Sequence, residues 1–412
     1  MTRFKSLLMA PVLAGAMALA TAAFAQAPTP AAIDAWLKSS QLGPYDKSED
    51  WAEVIRKAKA EGAVVVYSSS SRISKVAQWF MEQYPEIKVQ AFDLGSTQAI
   101  EKTIREQDAG QHNADIVTTG GSGEIVHDMM KKNRLFNYVP HHFIDRIPKE
   151  NREPLLVRVN EAVVFFYSGD AWPNEPPIKN IWELTLPKWK GKVGIKDPLD
   201  SGSLFMGIAT FVQHKDEMAA AYKRMTGQDI KLSAGVPDAG HEWLYRLLKN
   251  DAIPNKSGPK LVAASGTKGA RNPMIAMSNM THISYNDDQG LVNRFVVDLD
   301  PVAKIVYPTY TAIARFAKHP NAAKLFTAYT LGSTELRRDS KLAKPYDKGE
   351  SRNLLLGLAP YFDPGSVSPR SDAPLPIGGE AWDKMKGWTA DPDYLWFESA
   401  KVRDFYIQHV SR

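Results

Sequence analysis

The chain has 412 residues, 51 basic and 46 acidic side chains, a formal net charge of +5 and no cysteine. Because the two charge signs are interspersed without a Lys/Arg tract, the sequence argues against a nucleic-acid partner, and the lack of cysteine excludes disulfides and thiol-linked lipids. Hydrophobic residues make up 44% of the chain, enough for large cores, and the length suits two domains.

The first 25 residues predict a secretory signal peptide. Arg3 and Lys5 precede an apolar run over residues 7–23, which ends in the small-residue pattern Ala23-Phe24-Ala25. A membrane anchor is the alternative, but no polybasic stop-transfer flank follows the run. We therefore expect cleavage near Ala25, export to the periplasm and no membrane insertion of the mature chain.

Three strand–turn–helix units follow a first predicted helix over residues 48–62. The continuous β-branched run Val64-Val65-Val66 is typical of a strand buried on both faces in a parallel sheet. Repeated units of this kind predict an open, mostly parallel sheet. The predicted strands are 63–67, 87–92 and 114–118, and the predicted helices are 73–84, 98–107 and 124–132.

An extended, apolar stretch over residues 155–167 predicts a crossover strand into a second lobe. That lobe is predicted to hold a strand at 192–195 and helices at 204–212, 216–227 and 241–250. A strand at 281–285 and the chain beyond Gly290 then predict a return to the first lobe, which ends in a helix at 321–331. The predicted fold class is α/β, with two lobes, a central cleft and a hinge of crossover strands.

The predicted division of the chain is a signal peptide (1–25), lobe I (26–157 plus 288–345), lobe II (158–287) and a C-terminal extension (346–412). The extension holds Pro-rich loops, then Trp382, Trp388 and Trp396, and a predicted helix at 398–409. Its aromatic residues predict packing as core against one lobe. The alternative is that the extension forms part of the cleft wall.

Four short loops, each between a strand and a helix, predict a ligand cleft. They are residues 68–72, 95–97, 120–123 and 201–203, all rich in small residues with hydroxyl groups. Ligands of open parallel sheets bind outside the carboxyl ends of the strands, where loops present backbone N–H groups at helix starts. One such loop alone is an ordinary helix cap, but four together favour a ligand site. Helix N-termini favour anions, so we expect a carboxylate, phosphate or phosphonate.

Charged residues near the loops allow further contacts. Arg72, Lys268 and Arg271 are each a candidate cation for an anionic ligand, although each is also suited to the protein surface. The predicted return crossing carries Asp287 and Asp288, which are suited to an amine, to a metal or to a hydrated loop. The predicted ligand-binding residues are Ser68, Ser69, Arg72, Ser96, Gly121, Ser122, Ser201, Ser203, Tyr285, Asn286 and Asp288.

Enzyme motifs are missing from the sequence. It contains no Gly-x-Ser-x-Gly elbow, no His-Glu-x-x-His and no phosphate loop ending in Gly-Lys-Ser/Thr. His141-His142 lacks an evident third metal ligand. We expect a protein that is not an enzyme and has no cofactor or resident metal; a secreted α/β hydrolytic enzyme and a periplasmic sensor ectodomain are the alternatives.

Several segments together carry a resemblance to a known family. These are Val64-Val65-Val66-Tyr67-Ser68, Ala114-Asp115-Ile116-Val117, Leu186-Pro187-Lys188-Trp189-Lys190-Gly191-Lys192-Val193-Gly194 and His319-Pro320-Asn321-Ala322-Ala323-Lys324-Leu325-Phe326. With them the chain resembles the iron(III)-type and related extracellular solute-binding proteins of ABC importers over roughly residues 62–331. The Pro-Lys-Trp-Lys-Gly-Lys stretch is the most specific of these segments.

The resemblance implies a type II periplasmic-binding fold whose lobes close on a solute and present the closed form to a membrane permease. We expect the chain to be a monomer. Ferric-binding members use an adjacent tyrosine pair after the second crossover, whereas this chain has Ile283-Ser284-Tyr285-Asn286-Asp287-Asp288-Gln289 there. Related members take phosphorylated sugars, aminophosphonates, polyamines or other organic ions. We expect a small organic anion, with ferric ion as the alternative.

Overall fold

The computed structural model describes residues 28–43, 48–342 and 350–410, with only the backbone of Ser122. The predicted signal peptide lies outside the described residues. Within the described ranges, every helix is too short or too polar to cross a lipid bilayer.

The described strands form one mixed sheet. They are β1 (Ala63–Ser68), β2 (Lys88–Asp93), β3 (Ile116–Thr119), β4 (Leu135–Phe136), β5 (Val157–Ser168), β6 (Val193–Lys196), β7 (Ile253–Asn255), β8 (Ile275–Asn279), β9 (Asn293–Phe295), β10 (Lys304–Ala314) and β11 (Gly387–Thr389).

The described residues form fifteen α-helices. They are α1 (Pro30–Ser39), α2 (Trp51–Glu61), α3 (Ile73–Gln83), α4 (Ser96–Asp108), α5 (Ser122–Glu124), α6 (Gly202–Gln213), α7 (Lys215–Thr226), α8 (Ala239–Lys249), α9 (Gly258–Gly266), α10 (Tyr285–Gln289), α11 (Pro320–Thr330), α12 (Glu350–Leu355), α13 (Ala359–Phe362), α14 (Gly379–Trp382) and α15 (Pro392–His409). A π-helix (Ile125–Met130) continues α5, and short 3-10 helices occupy several of the connections.

The main path of the sheet runs β2-β1-β3-β10-β5-β8-β6-β7. At one end β1 pairs with β2 and β3 in parallel, and at the other end β6 pairs with β7 and β8 in parallel. The two long strands β5 and β10 lie between these groups and pair with each other in antiparallel fashion. The expected α/β fold with parallel strands in each half is confirmed.

Two groups of buried side chains mark the two lobes. The first lobe packs around β1, α3 and α11, with residues such as Val66, Phe80 and Phe326. The second lobe packs around α6, α8 and the end of β5, with residues such as Phe166 and Trp243. β5 and β10 contribute to both cores, since Val157 and Tyr310 lie in the first lobe while later residues of β5 and earlier ones of β10 lie in the second.

The return to the first lobe takes place within β10. Residues 295–307 still contribute to the second core, and the strand reaches the first core at Tyr310. We therefore propose the same division into two lobes, but with the second crossing of the chain between the lobes within β10 instead of at residue 288.

The C-terminal extension contributes buried residues to the cores of both lobes, whereas the sequence analysis expects it to pack on one. Residues 355–373 join the first core, and residues 381–406 join the second. Within the first of these ranges, Val367 forms an antiparallel bridge with Asn160 of β5. The extension therefore follows the hinge from one lobe to the other.

One strand prediction is wrong. Residues 280–284 form a 3-10 helix, and the strand is the preceding segment β8. β8 reads Ile-Ala-Met-Ser-Asn, which lacks the β-branched enrichment of an ordinary strand, yet its burial between β5 and β6 favours small and apolar residues. The segment predicted as an α-helix at 124–132 is helical, but residues 125–130 form a π-helix.

Gly240 fixes how closely α8 approaches α6, the helix that brings Ser203 toward the cleft. A Cβ at this position would lie 2.5 Å from the carbonyl oxygen of Val212 and 2.7 Å from its Cα. Since these are backbone atoms, only displacement of a helix relieves the overlap. We expect Gly240→Ala to lower the stability of the second lobe by about 1–3 kcal/mol.

Differential scanning calorimetry is the suitable measurement, since a two-lobed chain need not unfold in one step. Gly202→Ala is the matched control, because a Cβ there meets no atom within 4 Å. Equal melting profiles for the two variants would contradict the packing account.

Candidate functional site

A cavity of about 580 Å³ lies between the lobes, within the range of about 300–1,000 Å³ that is usual for small-molecule sites. Both lobes, both crossover strands and the C-terminal extension line it. The loops after β1, β2 and β3 supply the first-lobe side, and the start of α6 supplies the second-lobe side. Three of the parallel strands therefore end at the cavity, as the sequence predicts for this type of sheet.

Three helices of eleven or more residues begin at the cavity: α3, α4 and α6. Their N-cap residues are Arg72, Gly95 and Ser201, and none of these side chains caps the helix. By contrast, Asp50 caps α2 and Asp238 caps α8. At α3 the first N–H groups are already used, since Ile73, Ser74 and Lys75 donate to the carbonyl oxygens of Ser70, Ser71 and Arg72. The starts of α4 and α6 leave backbone N–H groups for water or for a ligand, and their partial positive charge favours an anion.

Arg158 is the central charged group of the site. It belongs to β5, at the point where the pairing with β10 shifts register, so the ladder skips this residue. Such β-bulges redirect a side chain, and that of Arg158 lines the cavity while the residue is only 2% exposed.

Two contacts hold the Arg158 guanidinium in place. Its Nε donates a hydrogen bond to Thr118 Oγ1 at 2.9 Å, and its carbon Cζ lies 3.7 Å from the centre of the Tyr361 ring. In the part of the chain that the structure describes, its Nη1 has no hydrogen-bond partner. A buried cationic donor without a partner is costly, so this nitrogen is a ready contact for an anion in the cavity.

Glu161, which follows Arg158 along β5, has its oxygens satisfied. Tyr307 donates to one oxygen at 3.0 Å, and Ser366 donates to the other at 2.7 Å. Arg72 approaches at 3.8 Å. Burial raises the pKa of the Tyr307 hydroxyl well above its ordinary value, so it remains a donor. This arrangement couples β5, β10 and the extension at the hinge.

Positive charge extends beyond the arginines that line the cavity. Burial lowers the pKa of His282 to about 3, and the positive charges of Lys196 and Arg72 contribute to the shift. His282 is hydrogen-bonded to Ser278, with 2.8 Å between its Nδ1 and the hydroxyl oxygen. A neutral imidazole that is kept neutral in part by cations indicates a surrounding suited to negative charge.

The structure brings a subset of the predicted ligand-binding residues to the cavity wall: Ser69, Arg72, Ser96, Gly121 and Ser203.

Ser68 and Ser201 lie beside the wall and shape it. The hydroxyl of Ser68 is buried and accepts a hydrogen bond from the N–H of Ser70. Ser201 contacts Ser203 at 3.2 Å between hydroxyl oxygens. The backbone of Ser122 begins α5, and its side chain lies outside the described residues.

The structure places the predicted residues of the return crossing elsewhere. Tyr285, Asn286 and Asp288 belong to the short helix α10 and do not line the cavity. Asn286 instead exchanges hydrogen bonds with the backbone of Asn293. Their predicted placement depended on the strand at 281–285, which the chain does not form.

Two further predicted charges, Lys268 and Arg271, are exposed and do not line the cavity. The His141–His142 pair packs against Trp51. The described residues contain no group of three His, Asp or Glu side chains placed to hold a metal ion.

The sequence analysis missed several cavity residues. The sequence contained a signal for Arg158 and Glu161, because charged residues in an otherwise apolar crossover strand are expected to be paired or functional. Tyr307 and Thr309 on β10 had none, since their position depends on the strand pairing. Tyr361 is brought to the cavity by long-range packing of the extension.

Solved structures share this architecture. Iron-bound HitA from Pseudomonas aeruginosa matches with a TM-score of 0.59 and 16% identity, covering 84% of this chain and 98% of that one. AfuA from Actinobacillus pleuropneumoniae, a periplasmic binding protein determined with exogenous fructose-6-phosphate bound, matches with a TM-score of 0.58 and 17% identity over 85% and 98%. The ferric binding protein from Campylobacter jejuni matches with a TM-score of 0.60 and 14% identity over 85% and 100%.

This chain has the two-lobed fold of a periplasmic binding protein. The resemblance in the sequence is thereby confirmed at the level of the fold, with its central cleft and its hinge of crossover strands. Neither a family model nor a curated protein matches the sequence. Among these structural neighbours, HitA contains iron and the Campylobacter jejuni protein is named for ferric ion, whereas AfuA holds a sugar phosphate.

The lowered pKa of His282 predicts how stability depends on pH. Between pH 6.5 and about 3 the unfolded chain binds a proton at this residue and the folded chain does not. Folding stability is therefore lost as the pH falls through this window, by up to about 1.4 kcal/mol per pH unit from this one group. His282→Gln should flatten the acid side of the profile.

Urea unfolding at a series of pH values between 7 and 4 is the measurement, with His409→Gln as the matched substitution on the distant helix α15. An unchanged slope in His282→Gln would contradict the burial of a neutral imidazole beside Lys196 and Arg72.

Proposed function

We propose that this chain is the solute-binding component of an ABC importer, acting in the periplasm. It captures a small organic anion that carries a phosphate, phosphonate or carboxylate group, encloses it between the lobes and delivers it to a membrane permease. The mature protein acts as a monomer and catalyses no reaction.

The observation that carries the anion assignment is the buried guanidinium of Arg158, a residue that lines the cavity and whose Nη1 has no hydrogen-bond partner in the described residues. The starts of α4 and α6, which have no side-chain caps, and the nearby charge of Arg72 support the same ligand chemistry. An anionic group can accept charge-assisted hydrogen bonds from the arginine and from backbone N–H groups together.

Closure of the lobes is supported by the distribution of the cavity residues. Ser96 and Gly121 belong to the first lobe, Ser203 to the second, and Arg158 to the hinge strand. A ligand that contacts one set in the open form gains the other set only on closure, so binding shifts the equilibrium toward the closed form.

Ferric ion is the rival solute, since structural neighbours are ferric-binding proteins. Iron(III) favours several oxygen ligands, which this cavity offers mainly as Glu101, Glu124 and Asp128 near its rim. Asp128 is paired with Lys132, and Glu161 is satisfied by hydroxyl groups. The pairing of Asp128, the satisfied oxygens of Glu161 and the unpartnered Nη1 of Arg158 favour the organic anion.

A thermal-shift screen with sugar phosphates, phosphonates, dicarboxylates and ferric ion tests the proposal. A ligand present at 100 times its dissociation constant stabilises the native state by about 2.7 kcal/mol. We expect an organic anion to raise the melting temperature, and Arg158→Met to weaken its binding at least about 30-fold, which corresponds to about 2 kcal/mol.

Arg315→Met is the matched control, because Arg315 is also a buried arginine near a crossover strand but does not line the cavity. It should retain the affinity of the unmodified chain. Stabilisation by ferric ion alone, or equal loss of affinity in both variants, would contradict the proposal.

A further inference from the structure

Helix α15, near the end of the chain, contacts both lobes. Its first turns lie against α5 and the π-helix of the first lobe, and its length packs along α6 and α8 of the second. Three of its residues, Leu395, Ser399 and Arg403, line the cavity. The helix is thus a wall of the cavity, and its attachment to each lobe decides what happens when the lobes separate.

The attachment to the second lobe is through buried side chains. Leu395, Val402 and Tyr406 are the buried residues of α15, and all three belong to the second core. Just before the helix, Asp391 accepts a hydrogen bond of 2.9 Å from Gln213 at the end of α6.

The attachment to the first lobe, which we call the docking contact, joins Gly123 and His127 on one side to Asp393 and Trp396 on the other. The His127 side chain is 8% exposed and that of Asp393 is 71% exposed. Nε2 of His127 lies 2.5 Å from a carboxylate oxygen of Asp393, and the imidazole stacks on the Trp396 ring at 5.5 Å and 9°. Trp396 remains 41% exposed.

The magnitudes of the two attachments differ. Burial of a large apolar side chain contributes about 1.5–3 kcal/mol, and α15 buries three such residues in the second lobe. The hydrogen bond between His127 and the exposed carboxylate of Asp393 contributes about 0.5–1.5 kcal/mol, and a ring pair contributes about 0.5–1.5 kcal/mol beyond its buried area. The docking contact is therefore the one that breaks when the cleft opens.

We propose that α15 is a mobile wall of the ligand cavity. It travels with the second lobe when the cleft opens, leaving one side of the cavity free for the solute to enter. On closure it docks on the first lobe and brings Leu395, Ser399 and Arg403 around the solute. The inference rests on the proposed function for the solute and for lobe closure, but the movement of the helix can be measured without any solute.

The chain contains no cysteine, so pairs of introduced cysteines can carry spin labels at unique positions. Ala109 on the first lobe, Ala220 on the second and Ala400 on α15 are exposed sites for them. Electron–electron double resonance on the three pairs, without added solute, measures the lobe-to-lobe distance and the position of the helix relative to each lobe.

We expect the Ala220–Ala400 distance to stay narrow, and the Ala109–Ala400 and Ala109–Ala220 distributions to be broad together. Gly123→Val should shift both first-lobe distances to longer values, because a Cβ at residue 123 already lies 3.0 Å from the backbone nitrogen of Trp396. Gly95→Val is the control, since a Cβ there meets nothing within 4 Å.

Trp396→Ala is a milder second variant, which removes the stack on His127 without adding bulk and should also lengthen both first-lobe distances. Its control is Ile407→Ala, at a residue of the same helix with the same exposed fraction of 41%. A broad Ala220–Ala400 distance with a narrow Ala109–Ala400 distance would overturn the proposal, because α15 would then belong to the first lobe.

Unchanged first-lobe distances in both Gly123→Val and Trp396→Ala would also overturn the proposal. Because no solute is present, these results stand apart from the anion assignment. Failure of the proposed helix movement would not contradict the anion assignment, and failure of the anion assignment would not contradict the helix movement.

Discussion

The antiparallel pairing of β5 with β10 is the constraint on which the rest of the structure depends. These two strands are the long elements that contribute to both cores, and their pairing runs from Lys304 opposite Val164 to Tyr310 opposite Val157. Where the pair passes between the lobes, Arg158, Glu161 and Thr309 line the cavity. The same strands that join the lobes therefore supply the centre of the binding site.

The register shift in this pair explains how a charge is held at the hinge. A regular ladder would place alternate residues of β5 on opposite faces, in core environments that exclude an arginine. The bulge frees Arg158 from the ladder, Thr118 and Tyr361 fix its plane, and Glu161 is kept occupied by Tyr307 and Ser366. The result is a cation whose orientation is fixed before the ligand binds, so an anion does not have to supply the free energy of ordering it.

The sequence predicts much of this fold because each half repeats a short local pattern. The β-branched run of β1 and the small residues after β1, β2 and β3 are local signals, so the edge of the sheet that carries the ligand loops follows from the chain order alone. Arg158 could not be placed in this way, since its direction depends on the register of a strand about 150 residues away in the chain. The misplaced strand at 281–285 has a related cause, because the true strand β8 is defined by its neighbours and not by its propensity. The same strand prediction placed Tyr285, Asn286 and Asp288 among the ligand-binding residues, whereas the structure places them in α10, away from the cavity wall.

The central claim is that this cavity holds an organic anion against the hinge. Native mass spectrometry of the protein, purified without refolding from the cells that produce it, tests this claim most directly. We expect one bound molecule per chain, with a mass that fragmentation identifies as a phosphate-, phosphonate- or carboxylate-bearing solute. A chain that retains only ferric ion, with no organic molecule, would contradict the claim.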